Sequence, residues 1–187
     1  MEALVPAILE QKVLSLEAHR AWKILLSKYG ATPPGPAPAN MRVFPDPKTW
    51  RAIPSWDWHR AGVEGVRAQT IIRAAIVAGS LERLLDLSNQ DAARKLRTIP
   101  GIGPWTAAET LQRAAGDPDA VSVGDYNLPK AVGWALAGRH KTDDAQMLEL
   151  LELYRGHRYR VTRLVELTGL RAPRRGPRMP VRDYRAF

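Results

Sequence analysis

Cysteine is absent from this chain of 187 residues. That absence excludes disulfides, thiol catalysis, cysteine-based zinc fingers and a cysteine-held Fe–S cluster. No apolar run approaches the ~20 residues that a membrane-spanning helix needs. The first residues, with Glu2 and Glu10, lack the basic start and apolar stretch of a secretory signal. A soluble cytoplasmic protein is the expectation. No His/Asp/Glu grouping has zinc spacing, and no Walker-type loop is present. Nothing alternates at period two, so strands are not expected. Acidic residues are also in short supply, 19 against 28 Lys and Arg, which leaves a net charge of +9. Such a balance favours a polyanionic partner, through phosphate contacts and counterion release.

What is present is helical periodicity. Residues 3–29 read as a helix, with Leu4, Ile8 and Leu9 on one face and Leu14, Leu16, Trp22, Leu25 and Leu26 continuing the stripe. Gly30 would stop it. Residues 32–40 hold four prolines and a glycine and must be a loop. Asp46-Pro47 starts a segment to Ile53, and Pro54-Ser55 restarts the chain into Trp56 and Trp58, which suit core and rim packing. Helices are predicted over 66–78, over 81–87 behind Ser80, and from Ser88 to Thr98 with Asp91 completing a cap. Further helices are expected over 104–115, 128–136, 143–154 behind Thr142, and 156–168. The fold class is therefore all-α. Residues 1–170 form the expected domain, and residues 171–187 a basic tail. The tail holds six arginines and one aspartate, +5 of the total. It would either bind DNA or solubilise an end.

The most informative stretch runs from Leu96 to Asp125. Ile99-Pro100-Gly101-Ile102-Gly103-Pro104-Trp105-Thr106-Ala107 reads as one helix ending, a tight turn and a second helix starting. Pro100 cannot continue the first helix, Gly101 and Gly103 permit positive φ and leave amides unobstructed, and Pro104 suits the first turn of the next. The product is a helix N-terminus with bare amides, a docking point for a phosphate. A plain structural turn would use the same residues. Gly124-Asp125-Tyr126 follows, with Asp125 placed 22 residues beyond Gly103.

Hairpin and Asp at this spacing resemble the HhH-GPD superfamily of DNA base-excision glycosylases. The Trp105-Thr106-Ala107 run, the Asp125-Tyr126 pair and Ala7-Ile8-Leu9-Glu10-Gln11 are similar to its 3-methyladenine DNA glycosylase II (AlkA-like) branch. The resemblance covers roughly residues 1–170. It implies a helical bundle with a cleft between two lobes, here without an Fe–S cluster. It implies a monofunctional enzyme that flips an alkylated purine out of double-stranded DNA and hydrolyses its glycosidic bond, leaving an abasic site. Asp125 would be the catalytic carboxylate, stabilising oxocarbenium character at the sugar; a helix N-cap is its bland alternative. Bifunctional members use a lysine at the position of Trp105, and an indole cannot be that nucleophile.

Trp105 and Tyr126 would line an electron-rich base pocket, or be core. Glu109 and Glu166 fall where further aromatic lining is usual; they would attract a cationic base, or pair with Arg113 and Arg163. Gly101, Ile102, Gly103, Pro104 and Thr106 would hold the DNA backbone, with Lys130 as another phosphate contact. Gln11 and Lys12 fall at the wedge, where Lys12 is atypical. Arg67, His157, Arg158 and Arg160 would meet phosphates or form a solvated face. The carbonyls of Arg97, Ile99 and Ile102 would hold a monovalent cation, Na+ or K+; no other cofactor is implied. AlkA-like proteins often carry an additional N-terminal sheet domain, and this chain begins almost at the helical one. A monomer at the chromosome is expected. The rival readings are a non-catalytic hairpin DNA-binding module, and a glycosylase for oxidised or deaminated bases.

Overall fold

A computed structural model describes residues 1–171, 173, 181 and 183. The arginine-rich tail expected over 171–187 therefore lies largely outside the described residues. Among those described there are eleven α-helices and no strand; one isolated bridge joins Ala31 to Val43 and closes the proline-rich loop. No helix among them is long and apolar enough to cross a membrane. The helices gather into two compact units, Met1–Ile102 and Gly103 onward.

The first unit contains α1 (Leu4–Leu9), α2 (Ser15–Tyr29), α3 (Pro47–Ala52), α4 (Ser55–Arg60), α5 (Gly65–Ile76), α6 (Ala78–Glu82) and α7 (Asn89–Leu96). Its core is built by α1 against α2 and α5, and by α3 and α4 against α5. Leu4, Ile8, Leu9, Leu25, Trp50 and Ile71 are essentially inaccessible, and each such side chain contributes about 1.5–3 kcal/mol of burial. Trp22, Phe44, Trp50 and Trp58 form a chain of rings, with centroids 6.0, 5.4 and 5.9 Å apart. Trp56, by contrast, is exposed. A buried carboxylate, Asp57, accepts from Lys28 Nζ at 2.6 Å and from the Tyr29 hydroxyl. The Lys28 ammonium, with Tyr29, holds Asp57 below the usual carboxylate range. Burial and the Asp57 hydrogen bond push the Tyr29 phenol up to about 12.

Local sequence misjudges two places in this unit. The continuous helix expected over 3–29 is broken between Leu9 and Ser15. Arg67, buried on α5, donates to the Leu9 carbonyl at 2.7 Å and stops α1 there. Lys12 then turns at φ +56, and the Glu17 carboxylate accepts the Leu14 amide to start α2. With the register reset, Ala18, Ala21 and Leu25 face inward while Leu16 is exposed. Second, Ser80 does not cap a helix over 81–87; it lies inside α6, which tightens into a 3-10 turn at Arg83–Asp86. Elsewhere the caps fall as expected: Asp46 accepts from the Thr49 amide at 2.7 Å, and Ser88 from that of Asp91 at 3.1 Å.

The second unit contains α8 (Pro104–Ala114), α9 (Leu128–Ala137), α10 (Asp144–Leu151) and α11 (Arg158–Thr168). Its core gathers Leu128 and Val132 of α9 with Met147 and Leu151 of α10. Asp143, not Thr142, caps α10, accepting from the Gln146 amide at 2.9 Å. Thr142 packs instead against Gly133, where any Cβ would overlap its side chain.

The long connection from α8 to α9 is bolted at several points. Asp119 takes the backbone amides of Gly156 and Arg158 at 2.8 and 3.0 Å, and the Arg158 guanidinium through both oxygens. Arg158 beside it holds the Asp119 carboxyl down at about 2. The folded state thus favours the ionised form, so the stabilisation is complete above an unfolded pKa near 4 and is lost as pH falls toward 2. Asp119→Asn should cost about 1–2 kcal/mol at pH 7, after discounting for its partial exposure. Thermal unfolding at pH 7 and pH 3 checks this, with the two proteins converging at the lower pH.

Candidate nucleic-acid interface and carboxylate site

The hairpin begins where α7 ends at Leu96. The amides of Thr98 and Ile99 close turns onto Lys95 and Leu96, and the Ile102 amide returns to the Ile99 carbonyl at 3.0 Å. Gly101 has φ +97, and a Cβ there would overlap the buried Thr70 side chain, so both the dihedral and the space demand glycine. Gly103 is different. Its φ of −95 is open to any residue, and nothing lies within 4 Å of where its Cβ would be. Its bareness serves access rather than conformation.

Two side chains of the first unit hold the turn. Gln11 Nε2 donates to the Gly101 carbonyl at 2.9 Å, and Arg73 reaches the Pro100 carbonyl at 3.5 Å. Gln11 thus grips the hairpin, while Lys12 beside it is exposed in a left-handed turn. Arg67 is too buried to meet a phosphate, and its charge serves the end of α1.

The hairpin's second helix, α8, starts at Gly103 with Pro104 in its first turn. Its first-turn amides have no partner inside the helix, and the positive end of the dipole points the same way. Thr106 is buried, so its side chain belongs to the core.

Asp125 lies in the second unit. Oδ1 accepts the amides of Asn127 and Leu128 at 2.7 and 2.8 Å, and Oδ2 accepts the Trp105 indole N–H at 3.2 Å. The carboxylate therefore caps α9 and is oriented from α8 at once. Sequence offered the cap and the catalytic group as alternatives for Asp125; the cap is present, and it leaves the second oxygen to the indole. Behind it, Gly124 turns at φ +94 and donates to Asp144 at 3.1 Å. Ser122 donates to Glu109 at 2.5 Å, and Gln112 reaches both Ser122 and the Ala120 carbonyl at 3.0 Å. The carboxylate rides on a loop fixed at Ala120, Ser122 and Gly124.

The remaining candidates separate. Tyr126 is exposed, and the Lys130 ammonium sits 3.5 Å from the centre of its ring. Glu109 pairs with Arg113 at 2.6 Å, and Glu166, exposed on α11, with Arg163 at 3.2 Å. Arg158 is committed to Asp119, and Arg160 contacts His157. Among the described residues no cluster of His, Cys, Asp and Glu could hold a metal ion. In the hairpin, the Pro100 and Gly101 carbonyls are engaged by Arg73 and Gln11, and the Ile99 carbonyl spends one lone pair on Ile102. Sequence reasoning missed Asp119, Ser122 and Gln112. An Asp inside a loop and a buried Gln are common, and only the tertiary partners distinguish them.

No protein-family model matches the chain. A relative does. The "Probable bifunctional transcriptional activator/DNA repair enzyme AlkA" of Mycobacterium tuberculosis is 32% identical over 131 residues, 68% of this chain and 25% of that protein. The chain belongs to the HhH-GPD superfamily, in its AlkA-like branch. It spans about a quarter of the length of that curated relative.

Solved structures of the superfamily share the fold. The 3-methyladenine DNA glycosylase of Archaeoglobus fulgidus superposes with a TM-score of 0.73 at 21% identity, over 89% of this chain and 56% of that one. The Schizosaccharomyces pombe 3-methyladenine DNA glycosylase Mag1, solved with abasic DNA, gives 0.74 at 19% identity, over 90% and 79%. An 8-oxoguanine glycosylase/lyase of Clostridium acetobutylicum gives 0.67 at 16% identity, over 89% and 60%. The all-helical architecture of the described residues matches that of these neighbours, and the chain holds no cysteine to bind an Fe–S cluster.

Because Asp125 caps α9 through one oxygen, the amide of Asp125→Asn retains that acceptor. Asp125→Asn keeps the α9 acceptor but sets an NH2 against the Trp105 indole N–H, so it should lose about 0.5–1 kcal/mol, whereas Asp125→Ala should lose about 1–2 kcal/mol. Urea unfolding of the three proteins measures the difference.

Proposed function

We propose that this protein is a monofunctional DNA glycosylase that excises alkylated purines of the 3-methyladenine type from double-stranded DNA. The observation that carries this reading is the Asp125 carboxylate, preset by two backbone amides and an indole N–H in a chain of the AlkA-like branch. Bond cleavage at C1′ sends the bonding pair to the departing base and leaves positive character on the sugar. A fixed carboxylate beside that carbon stabilises the charge without reorganising. Water then completes the abasic sugar, and Asp125 is placed to orient it.

The hairpin from Gly101 to Thr106, in which the Ile102 amide is bonded within the turn and Pro104 has no N–H, anchors the phosphate backbone through its other amides and carries no sequence information. Lys12 lies at the wedge, with Gln11 gripping the hairpin beside it. Trp105 and Tyr126 supply the aromatic surface for the flipped base. Trp105 stands where a lyase would carry its amine, and strand cleavage is not expected. Glu109 and Glu166 are drawn into ion pairs, which weakens any attraction for a cationic base. The Arg97, Ile99 and Ile102 carbonyls are those that would hold Na+ or K+, which would steady the turn against the DNA; no further cofactor is required. A cytoplasmic monomer acting on chromosomal DNA, at the nucleoid if the source is bacterial, fits that substrate.

A non-catalytic DNA-binding module is the reading favoured by the capping role of Asp125. Base release decides between the two. Wild type should liberate free methylated purine from methylated duplex DNA, with strands intact until alkali is added. Asp125→Asn should release at least a hundredfold less while still binding the duplex. Duplex binding without base release by either protein would sink the alkylpurine reading. The 8-oxoguanine enzymes among the structural neighbours make an oxidised-base duplex the next substrate to try.

Trp105→Phe separates ring from donor. It keeps an aromatic face and removes the N–H on Oδ2, so kcat should fall about tenfold, the worth of about 1.4 kcal/mol, with KM within twofold. A stacking role alone would leave kcat nearly intact; steady-state kinetics reads the split.

A further inference from the structure

Tyr126 and Lys130 are four residues apart and share one face at the start of α9. The ring of Tyr126 is 77% exposed, and the Lys130 ammonium lies 3.5 Å from its centroid, directly over the π face. The contact is a cation–π pair, with the cation filling the position that an incoming cationic ring would need. Resting on the glycosylase reading above, we infer that Lys130 is a specificity-determining residue that biases the Tyr126 wall against cationic purines and toward neutral ones.

The sign of the effect does not depend on how the base enters. An N-alkylated purine still joined to its sugar carries a positive charge. If it stacks on the face that Lys130 covers, the ammonium must first be displaced and rehydrated. If it stacks on the opposite face, two positive charges sit across the thickness of one ring, and Lys130 has already drawn on the same quadrupole. A neutral purine must also displace the ammonium from the covered face, but it meets no charge repulsion in either geometry, so only the cationic base is disfavoured by the charge. Other charges near the wall do not cancel this. Glu109 is neutralised by Arg113, and the Asp125 charge, held by neutral donors, is the same in every Lys130 variant and drops out of their comparison.

A phosphate contact, the reading that sequence suggests for Lys130, predicts the opposite outcome on removal of the charge. Binding would weaken for every duplex, and no base would be released faster once the enzyme is saturating. The test is single-turnover base release at saturating enzyme, from methylated duplex DNA and from a duplex containing hypoxanthine, for wild type, Lys130→Gln and Lys130→Arg. Affinity for undamaged duplex and thermal unfolding are followed in parallel as checks on the fold. The expected result is at least a threefold faster release of methylated purine by Lys130→Gln, no gain for hypoxanthine, and wild-type behaviour in Lys130→Arg. A methylated-base rate that is unchanged or lower in Lys130→Gln, or raised equally for hypoxanthine, overturns the role of Lys130 and leaves the glycosylase reading standing. No release of either base by wild type overturns that reading and this inference together.

Discussion

The second unit is arranged around a single carboxylate with both oxygens occupied. Asp125 closes the N-terminus of α9 through Oδ1 and receives the Trp105 indole on Oδ2. A carboxylate that satisfies a helix terminus is held by the most rigid donors a protein has, its own backbone amides. That choice turns a mobile side chain into a fixed charge, and fixed charge is what an oxocarbenium-like transition state rewards. Much else follows from keeping that loop still: the glycine turn at Gly124, the Glu109–Ser122–Gln112 chain, and Asp119 clamped to the start of α11.

The hairpin places its constraint on the backbone instead. Gly101 is fixed by geometry, with Thr70 behind it, whereas Gly103 is fixed by nothing inside the protein. One glycine lets the turn form, and the other leaves the start of α8 uncovered. Gln11 and Arg73 hold the turn through its carbonyls.

Much of this was legible in the sequence because proline, glycine and capping residues act locally. Pro104, Asp46 and Ser88 mark helix starts through chemistry confined to a few residues, and the spacing from Gly103 to Asp125 survives as a count. What was not legible depends on distant partners. No local rule says that Arg67 ends α1 at Leu9, since residues 10–14 have ordinary helical character and the stop comes from α5. The same applies to Thr142, displaced as a cap by Asp143 while its side chain fills the space left by Gly133. Lys130 was read by its charge alone, and its position over Tyr126 needed the helix in place. The pairing of Glu109 with Arg113 was foreseen from its four-residue spacing; the Ser122 bond that ties it to the loop was not.

Glu109 serves Arg113 and Ser122 with one side chain, and Ser122 in turn receives Gln112. Four positions therefore behave as a single inherited unit. An aromatic residue arriving at 109 would strand the Ser122 hydroxyl in a dry interior and release Arg113 unless both changed with it. Position 109 and the loop that carries Asp125 can therefore diversify only in step, through coordinated replacements.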